Sequence, residues 1–193
     1  MQKKRLTGKT LILILLYAPT EGGGHVNTPI SGRTRLMKMG FLFGEEIADQ
    51  FKKDGGLQEA DLPEYFAWKY GPFSTTFLND LEFLINQEYV RPQMSSGTPL
   101  IAELAEYEYW IDDLEELDDR EYVEETFELT DDKGIAKAKE LWGLLSTNQQ
   151  ELLSQFKRVL VRAPLDRILE YVYKKYNEKG YIDKSLIRDK YLS

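Results

Sequence analysis

The chain has 193 residues, no cysteine and a formal net charge of −8, and 42% of its residues are hydrophobic. This length fits one domain with an appendage or two small domains, and the hydrophobic fraction is sufficient for a packed core. Because cysteine is absent, disulfides, thiolate metal sites and cysteine nucleophiles are excluded, which fits a reducing compartment.

The apolar run Leu11–Ala18 follows basic residues and imitates a signal peptide. It is far shorter than the roughly 20 residues of a membrane span. The following Ala18-Pro19-Thr20 lacks the small-x-small pattern of a cleavage site. We therefore expect a cytoplasmic protein without membrane contact. Leu11–Tyr17 is interpreted as a buried first helix, although an unbroken run of Leu and Ile also fits a strand.

The next two helices carry clear periodicity. From Gly32 to about Lys53, apolar residues that include Leu36, Met39 and Phe43 fall on one stripe. Aromatic residues 65–70 then lead into a predicted turn at Gly71-Pro72. Ser74 is the predicted N-cap of the following helix, Thr75–Glu88.

Two segments after this helix have strand character. Tyr89–Pro92 is short and ends in proline, and Tyr122–Leu129 alternates as a half-buried strand does. We interpret them as the two strands of a wing that pair with each other. The intervening residues, about 93–121, form a large insertion.

The C-terminal part has the pattern of successive helices. The first has Ile135 and Ala138 on its inner side. The second begins at a predicted capping box of Thr147 and Gln150. A third follows Pro164 and ends at Lys179-Gly180, and a last short helix is predicted over Lys184–Tyr191.

These elements predict a mainly α fold with a small β-wing, an α+β class. We expect a winged helix-turn-helix-like domain over 1–145 that contains the insertion. Residues 146–193 are expected to form a C-terminal helical extension packed on this domain.

Charge is distributed unevenly along the chain. Glu103–Glu128 contains thirteen acidic residues and one basic residue, Arg120, so it carries −12. The remainder has 24 basic and 20 acidic residues and therefore carries +4. A mildly basic body is thus joined to one strongly acidic segment, and each must be considered separately as a binding surface.

Four motifs occur in order along most of the chain. They are Pro29-Ile30-x-Gly32-Arg33-Thr34-Arg35-Leu36-x-Lys38, Tyr70-Gly71-Pro72-Phe73-Ser74, Leu129-Thr130-x-x-x-Gly134 and Tyr171-Val172-Tyr173-Lys174-Lys175-Tyr176. Together they resemble the YwgA-like proteins and, more distantly, the Panacea (SocA-like) antitoxin domain. The resemblance implies a helical, winged-helix-related domain with antitoxins or regulatory adaptors among its relatives. The acidic insertion departs from that pattern.

No catalytic constellation is visible in the sequence. His25 is the sole histidine, no Ser-His-acid arrangement is present, and the acidic segment lacks the spacing of a calcium-binding loop. We expect no enzymatic activity, no cofactor and no metal site.

Two binding functions remain. For DNA, Arg33, Arg35 and Lys38 cluster at one helix start, but the expected recognition helix has no basic residue between Ser74 and Glu88. DNA binding is therefore expected to be weak, salt-sensitive and dominated by phosphate contacts. The structural alternative is that Arg33 and Arg35 pair with the acidic segment or with Glu45 and Glu46.

We favour a regulatory protein-binding module of antitoxin or adaptor type, with a DNA-binding transcriptional regulator as the alternative. An acidic segment with aromatic anchors suits a basic toxin or regulator as its partner. A homodimer is an alternative that the sequence leaves open. The predicted contact residues are Arg33, Thr34, Arg35, Lys38, Tyr70, Ser74, Asn79, Tyr107, Tyr109 and Trp110.

Overall fold

The computed structural model describes residues 5–20, 26–53, 57, 59–96 and 123–192. Within these ranges the protein is mainly helical with small sheets, as the sequence predicts. The helices are α1 (Gly8–Tyr17), α2 (Arg33–Leu42), α3 (Ala48–Lys53), α4 (Thr75–Asn86), α5 (Lys133–Trp142), α6 (Thr147–Arg162), α7 (Leu165–Tyr176) and α8 (Arg188–Leu192). The strands are β1 (Arg5–Thr7), β2 (Ile30–Ser31), β3 (Glu59–Asp61), β4 (Phe66–Trp68), β5 (Gly71–Phe73), β6 (Val90–Ser96) and β7 (Val123–Leu129).

Helix α1 is the centre of the larger hydrophobic core. Thr7 caps its first turn, and every residue from Leu11 to Tyr17 is buried. A helix that is apolar on all sides must be covered on all sides, and α4, α5 and β7 all contact it. The helical interpretation of the Leu11–Tyr17 run is therefore confirmed. None of the described helices has both the length and the apolar character needed to span a bilayer.

The predicted pairing of the strand after α4 with the strand that ends at Leu129 is confirmed. β6 and β7 are antiparallel, with partners running from Val90 and Leu129 to Ser96 and Val123. Two details of the prediction were wrong. The sheet has a third strand, because β2 pairs with the outer side of β7. The strand pairing also extends to Ser96, so residues 93–96 belong to the sheet and not to the insertion.

The long helix predicted from Gly32 is present, but it is not uniform. A π-helical turn, Phe43–Ile47, joins α2 to α3 without a break. Such a turn holds one extra residue, which changes the side-chain directions on either side of it. Phe43 faces the larger core, whereas Phe41 and Leu42 belong to a second core cluster beneath α7 and α8.

The π-helical turn also fixes the C-terminal helices. The Glu46 carboxylate accepts hydrogen bonds from Tyr176 (2.7 Å), Tyr171 (2.9 Å) and Lys175 (3.0 Å). Burial opposes ionisation of Glu46, but these hydrogen bonds outweigh that effect and lower its pKa. Glu45 accepts a bond from Lys179 at 2.5 Å in the same way.

The aromatic run before Ser74 forms a structure that the sequence reading missed. Phe66–Trp68 and Gly71–Phe73 are the antiparallel strands of a hairpin, β4–β5. The predicted turn at Gly71-Pro72 was wrong, because the turn lies two residues earlier, at Lys69 and Tyr70. Ser74 does cap α4, since its hydroxyl accepts a hydrogen bond from the Phe77 amide at 3.2 Å.

Two C-terminal boundaries differ from the prediction. The capping box of α6 consists of Ser146 and Gln149, one residue before the predicted pair, and each side chain bonds the other's backbone amide. The last helix is Arg188–Leu192 instead of Lys184–Tyr191. Helix α7 ends at Tyr176, and a 3₁₀ turn, Asn177–Lys179, continues it to Gly180, whose left-handed φ of 76° ends the helical stretch at the predicted residue.

Gly134 provides a test of the close contact between α5 and the sheet. A β-carbon at this position would overlap the carbonyl oxygen of Tyr89 and lie 2.9 Å from the Thr130 hydroxyl oxygen. We expect Gly134→Ala to lower the free energy of unfolding by about 1–3 kcal/mol, because the backbone must move to admit the methyl group.

Gly44→Ala is the matched control. Gly44 is also helical, but a β-carbon there would meet no atom within 4 Å. We expect this change to be neutral or to stabilise by about 0.5–1 kcal/mol, because alanine loses less backbone entropy on folding. Urea unfolding measures both values, and equal effects of the two substitutions would contradict the packing described for Gly134.

Lys157 is a buried cation inside α6. Its side chain is 0% exposed, and its ammonium donates to the carbonyl oxygens of Leu16 (2.7 Å) and Ala18 (3.0 Å). These carbonyls lie at the C-terminal end of α1, where no helical amide is available to them. Burial lowers the pKa of Lys157 from its usual value of 10.5 to about 7.

This shift predicts a pH dependence of stability. The unfolded chain binds a proton at Lys157 up to about pH 10.5, whereas the folded chain releases it above about pH 7. The contribution of this group to the free energy of unfolding should therefore rise with pH across that window, at up to ~1.4 kcal/mol per unit. Urea unfolding from pH 6 to 10 should show this rise in the native chain and not in Lys157→Met. A difference between the two proteins that is constant with pH would show that the lysine titrates normally.

Candidate interaction site

A small pocket lies between α2 and the β4–β5 hairpin. It brings together four of the residues predicted from the sequence, Arg33, Thr34, Lys38 and Tyr70, although the two segments are far apart in the chain. The complete lining is Arg33, Thr34, Met37, Lys38, Tyr70, Gly71 and Phe73. The first and second sequence motifs therefore form one site.

Arg33 joins three elements at the edge of this pocket. Its guanidinium binds Glu125 on β7 through two nitrogens, one bond being 3.0 Å long, and it also binds Glu82 on α4. Burial opposes the charge, but the bonds to Glu125 and Glu82 outweigh it and raise the pKa of Arg33. The alternative in which Arg33 pairs with the acidic segment is thus confirmed, because Glu125 belongs to Glu103–Glu128.

Arg35 has a different role. It donates from one nitrogen to the carbonyl oxygens of Leu160 and Ala163, both at 2.6 Å, and from another to Ser31 at 3.2 Å. The first two carbonyls lie at the C-terminal end of α6, where a cation is favoured by the helix dipole. The carboxylates of Glu45 and Glu46, which the sequence offered as alternative partners, are bound by Lys179 and Lys175.

Two of the predicted contact residues, Lys38 and Ser74, are buried within the fold. Lys38 is only 3% exposed, and its ammonium donates to the Pro72 carbonyl at 2.8 Å, which ties the hairpin to α2. Ser74 is fully buried beneath the cap of α4. Both side chains therefore make hydrogen bonds within the fold.

Aromatic side chains on the hairpin form a surface that the sequence reading did not assign. Phe66 and Trp68 are 43% and 36% exposed, and their ring centroids are 6.1 Å apart. Phe73, which is paired with Phe66 across the hairpin, lies 5.6 Å from Phe66 and stacks on Trp68 at 6.4 Å. The alternation Phe66-x-Trp68 was the available signal, because residues two apart on a strand share a face.

Helix α4 presents a largely uncharged outer surface. Asn79 is exposed, as predicted, but the nearby acidic residues are engaged within the protein. Asp80 pairs with Lys9 at 3.0 Å, and Glu82 pairs with Arg33. The helix therefore offers Asn79 and its neighbouring threonines to a partner, with its carboxylates directed to ion pairs.

Four residues named from the sequence, His25, Tyr107, Tyr109 and Trp110, lie outside the described residues. Among those described, no group of three or more histidine or acidic side chains is arranged to hold a metal ion. Comparisons with protein-family models, with curated proteins and with solved structures find no match to this chain. The likeness to YwgA-like and Panacea proteins stays a prediction from the four motifs.

The ion pairs of Arg33 predict a measurable cost of removing its side chain. We expect Arg33→Ala to lower the free energy of unfolding by about 1.5–3 kcal/mol, because two partly buried carboxylates lose a charged hydrogen-bond donor. Arg5→Ala is the control, since Arg5 binds one exposed carboxylate, Asp61, at 3.3 Å. That change should cost less than about 1 kcal/mol in urea unfolding. A similarly small cost for Arg33→Ala would contradict the linking role of this residue.

Proposed function

We propose that the protein is a regulatory protein-binding module of antitoxin or adaptor type that engages its partner through the β4–β5 hairpin and the adjoining pocket. The observation that carries this proposal is the cluster of exposed aromatic rings, Phe66 and Trp68 with Phe73, beside the pocket of Arg33, Thr34, Lys38 and Tyr70. Exposed aromatic clusters of this kind are typical of protein interfaces, where Trp and Tyr contribute most of the binding energy.

The cations of the same surface support a protein partner over DNA. Phosphate contacts require arginines and lysines that can turn towards the nucleic acid. Here Arg33 is held by two carboxylates, Arg35 by backbone carbonyls, and Lys38 is buried against Pro72. Breaking these bonds would cost free energy that phosphate contacts would first have to offset.

The chemistry of the partner follows from the charge of the sequence. The acidic segment Glu103–Glu128 carries −12, and its last residues lie in β7, where Glu125 binds Arg33. A positive partner is therefore attracted towards this side of the protein at long range. A basic toxin or regulator, bound by aromatic contacts and steered by acidic charge, fits both features.

The order of helices and strands along the chain supports the proposed type of domain. Helices α2 and α4 followed by the paired strands β6 and β7 have the element order of a winged helix. We interpret the N-terminal part as winged-helix-like, with a role in protein recognition in place of DNA reading. The four motifs that resemble YwgA-like and Panacea proteins agree with that interpretation.

The test is purification of the tagged full chain from cells of its source organism. We expect one basic protein to co-purify in stoichiometric amount. In the double variant Phe66→Ser/Trp68→Ser, its yield should fall at least ~10-fold, because interface aromatic residues typically contribute 2 kcal/mol or more. Val26→Ser is the control, since Val26 is an exposed apolar residue on the segment that precedes β2. Equal retention by the double variant and the native chain would contradict the proposal.

A second measurement separates the DNA-binding alternative. The purified native chain is titrated against duplex DNA from its own upstream region at increasing salt. We expect weak binding that falls steeply with salt, because only nonspecific phosphate contacts are expected. Sequence-specific binding that survives about 150 mM salt, and that is lost in Asn79→Ala, would instead establish a transcriptional regulator.

A further inference from the structure

The turn of the aromatic hairpin is bound by a segment near the C-terminus. The Lys69 carbonyl, in the turn between β4 and β5, accepts a hydrogen bond from the Leu186 backbone amide at 2.8 Å. The same oxygen accepts a bond from the Ser185 hydroxyl at 3.1 Å, although Lys69 and Ser185 are 116 residues apart in the chain. A carbonyl oxygen has two lone pairs, so it can accept both bonds.

The Ser185 hydroxyl uses all of its hydrogen-bonding capacity, which is one proton and two lone pairs. Its proton is directed to Lys69. Its lone pairs accept from the Ile187 amide at 3.3 Å and from the Tyr173 hydroxyl at 2.5 Å. Because the Ser185 proton is already directed to Lys69, Tyr173 is the donor in the last of these bonds. Ser185 therefore joins the hairpin turn to helix α7.

Tyr173 is a fixed anchor for this chain of hydrogen bonds. Its side chain is 0% exposed, and its ring centroid lies 5.0 Å from that of Tyr191 on α8. Burial raises the pKa of Tyr173 well above its usual value of 10.0, so the phenol keeps the proton that it donates to Ser185. The ring also supports β5, since a β-carbon on Gly71 would lie 3.1 Å from it.

The hairpin needs support from outside its two strands, because an isolated two-stranded hairpin is only marginally stable in water. Strand β5 is joined to α2 by the bond from Lys38 to the Pro72 carbonyl, at 2.8 Å. Strand β4, which carries Phe66 and Trp68, pairs with β5 alone among the described strands. The position of the aromatic rings on β4 is therefore set by β5 and by the turn at Lys69.

We propose that Ser185 is a positioning residue for the partner-binding surface. Its hydroxyl couples the buried Tyr173 to the turn at Lys69, and so holds the rings of Phe66 and Trp68 in the arrangement that the partner contacts. This inference rests on the function proposed above, since that proposal places the partner on the hairpin.

Preorganisation gives this role an energetic basis. A surface that is already ordered loses less conformational entropy when a partner binds, so the complex is tighter. Without the Ser185 hydroxyl, the Lys69 carbonyl would keep its bond from Leu186 but lose the link to Tyr173. The hairpin would then spend time in arrangements that the partner cannot use, which lowers the apparent affinity while the fold stays intact.

Hydrogen exchange of the full chain, measured by mass spectrometry, tests the hold on the hairpin without any partner. We expect Ser185→Ala to speed the exchange of amides in residues 66–73 by about 3- to 10-fold, because one hydrogen bond to the turn is lost. Tyr173→Phe keeps the ring but removes the donor, and it should act in the same direction. Amides of α1 should exchange at the native rate in both variants, because this helix is buried in the larger core.

Two further variants are controls for the chemistry of the hydroxyl. Ser185→Thr retains a hydroxyl and should restore the native exchange rate of the hairpin amides. Ser154→Ala also removes a hydroxyl that donates to a backbone carbonyl, that of Gln150 at 2.7 Å, but this bond lies within α6. We expect it to leave the exchange of the hairpin unchanged.

Dissociation of the partner tests the consequence for binding. The probe is the basic protein that co-purifies with the native chain, and biolayer interferometry follows its release. We expect it to leave Ser185→Ala about 3- to 10-fold faster than the native chain, and to leave Ser185→Thr at the native rate. A loss of stability alone would change the amount of folded protein and not the rate at which a bound partner leaves.

Several outcomes would overturn the proposal. They are unchanged exchange of the hairpin amides in Ser185→Ala, equal acceleration of the α1 amides, and the same effect in Ser154→Ala. Faster exchange of the hairpin without faster release of the partner would also overturn it. A native chain that retains no partner would instead contradict the proposed function, and hydrogen exchange would still decide whether Ser185 holds the hairpin.

Discussion

The structure depends on the ion pairs that Arg33, at the start of α2, forms with two carboxylates on different elements. Its guanidinium joins Glu125 on β7 to Glu82 on α4, and thereby fixes the sheet and the helix before it in one arrangement. These ion pairs form only when the three segments have come together. In the unfolded chain the charged side chains are apart and each is hydrated. A planar guanidinium is suited to this task, since it binds a carboxylate through two nitrogens while a third donor stays available. Lysine at this position would hold one carboxylate and leave the other without a fixed donor.

Local signals in the sequence identified most elements correctly. The unbroken run Leu11–Tyr17, the stripe of α4 and the alternation of Tyr122–Leu129 each reflect burial of one face or of all faces, and periodicity detects burial. The errors arose where long-range contacts decide the outcome. Ile30–Ser31 is too short to have a pattern and becomes a strand only because β7 is beside it. Likewise, no local signal distinguishes Arg33, which binds carboxylates, from Arg35, which binds the end of α6.

The sequence predicted which residues line the candidate site, but it did not predict what their side chains bind. Arg33, Thr34, Lys38 and Tyr70 were chosen from separate motifs, and the fold places them around one pocket. Their chemistry could not be inferred, because the Lys38 ammonium is directed to the Pro72 carbonyl by tertiary packing. The aromatic hairpin was not predicted, for a related reason. A three-residue strand has the same sequence pattern as a loop, and only the cross-strand pairing of Phe66 with Phe73 identifies it.

The pairing of Ser96 with Val123 has a consequence for the free energy of closing the loop between them. Strands β6 and β7 hold the two ends of residues 97–122 side by side, whatever lies between them. Closing a loop on fixed ends becomes only slowly more costly with length, by about 0.6 kcal/mol for each doubling. The paired strands therefore make the loop-closure free energy of this part of the chain insensitive to the number of residues between Ser96 and Val123.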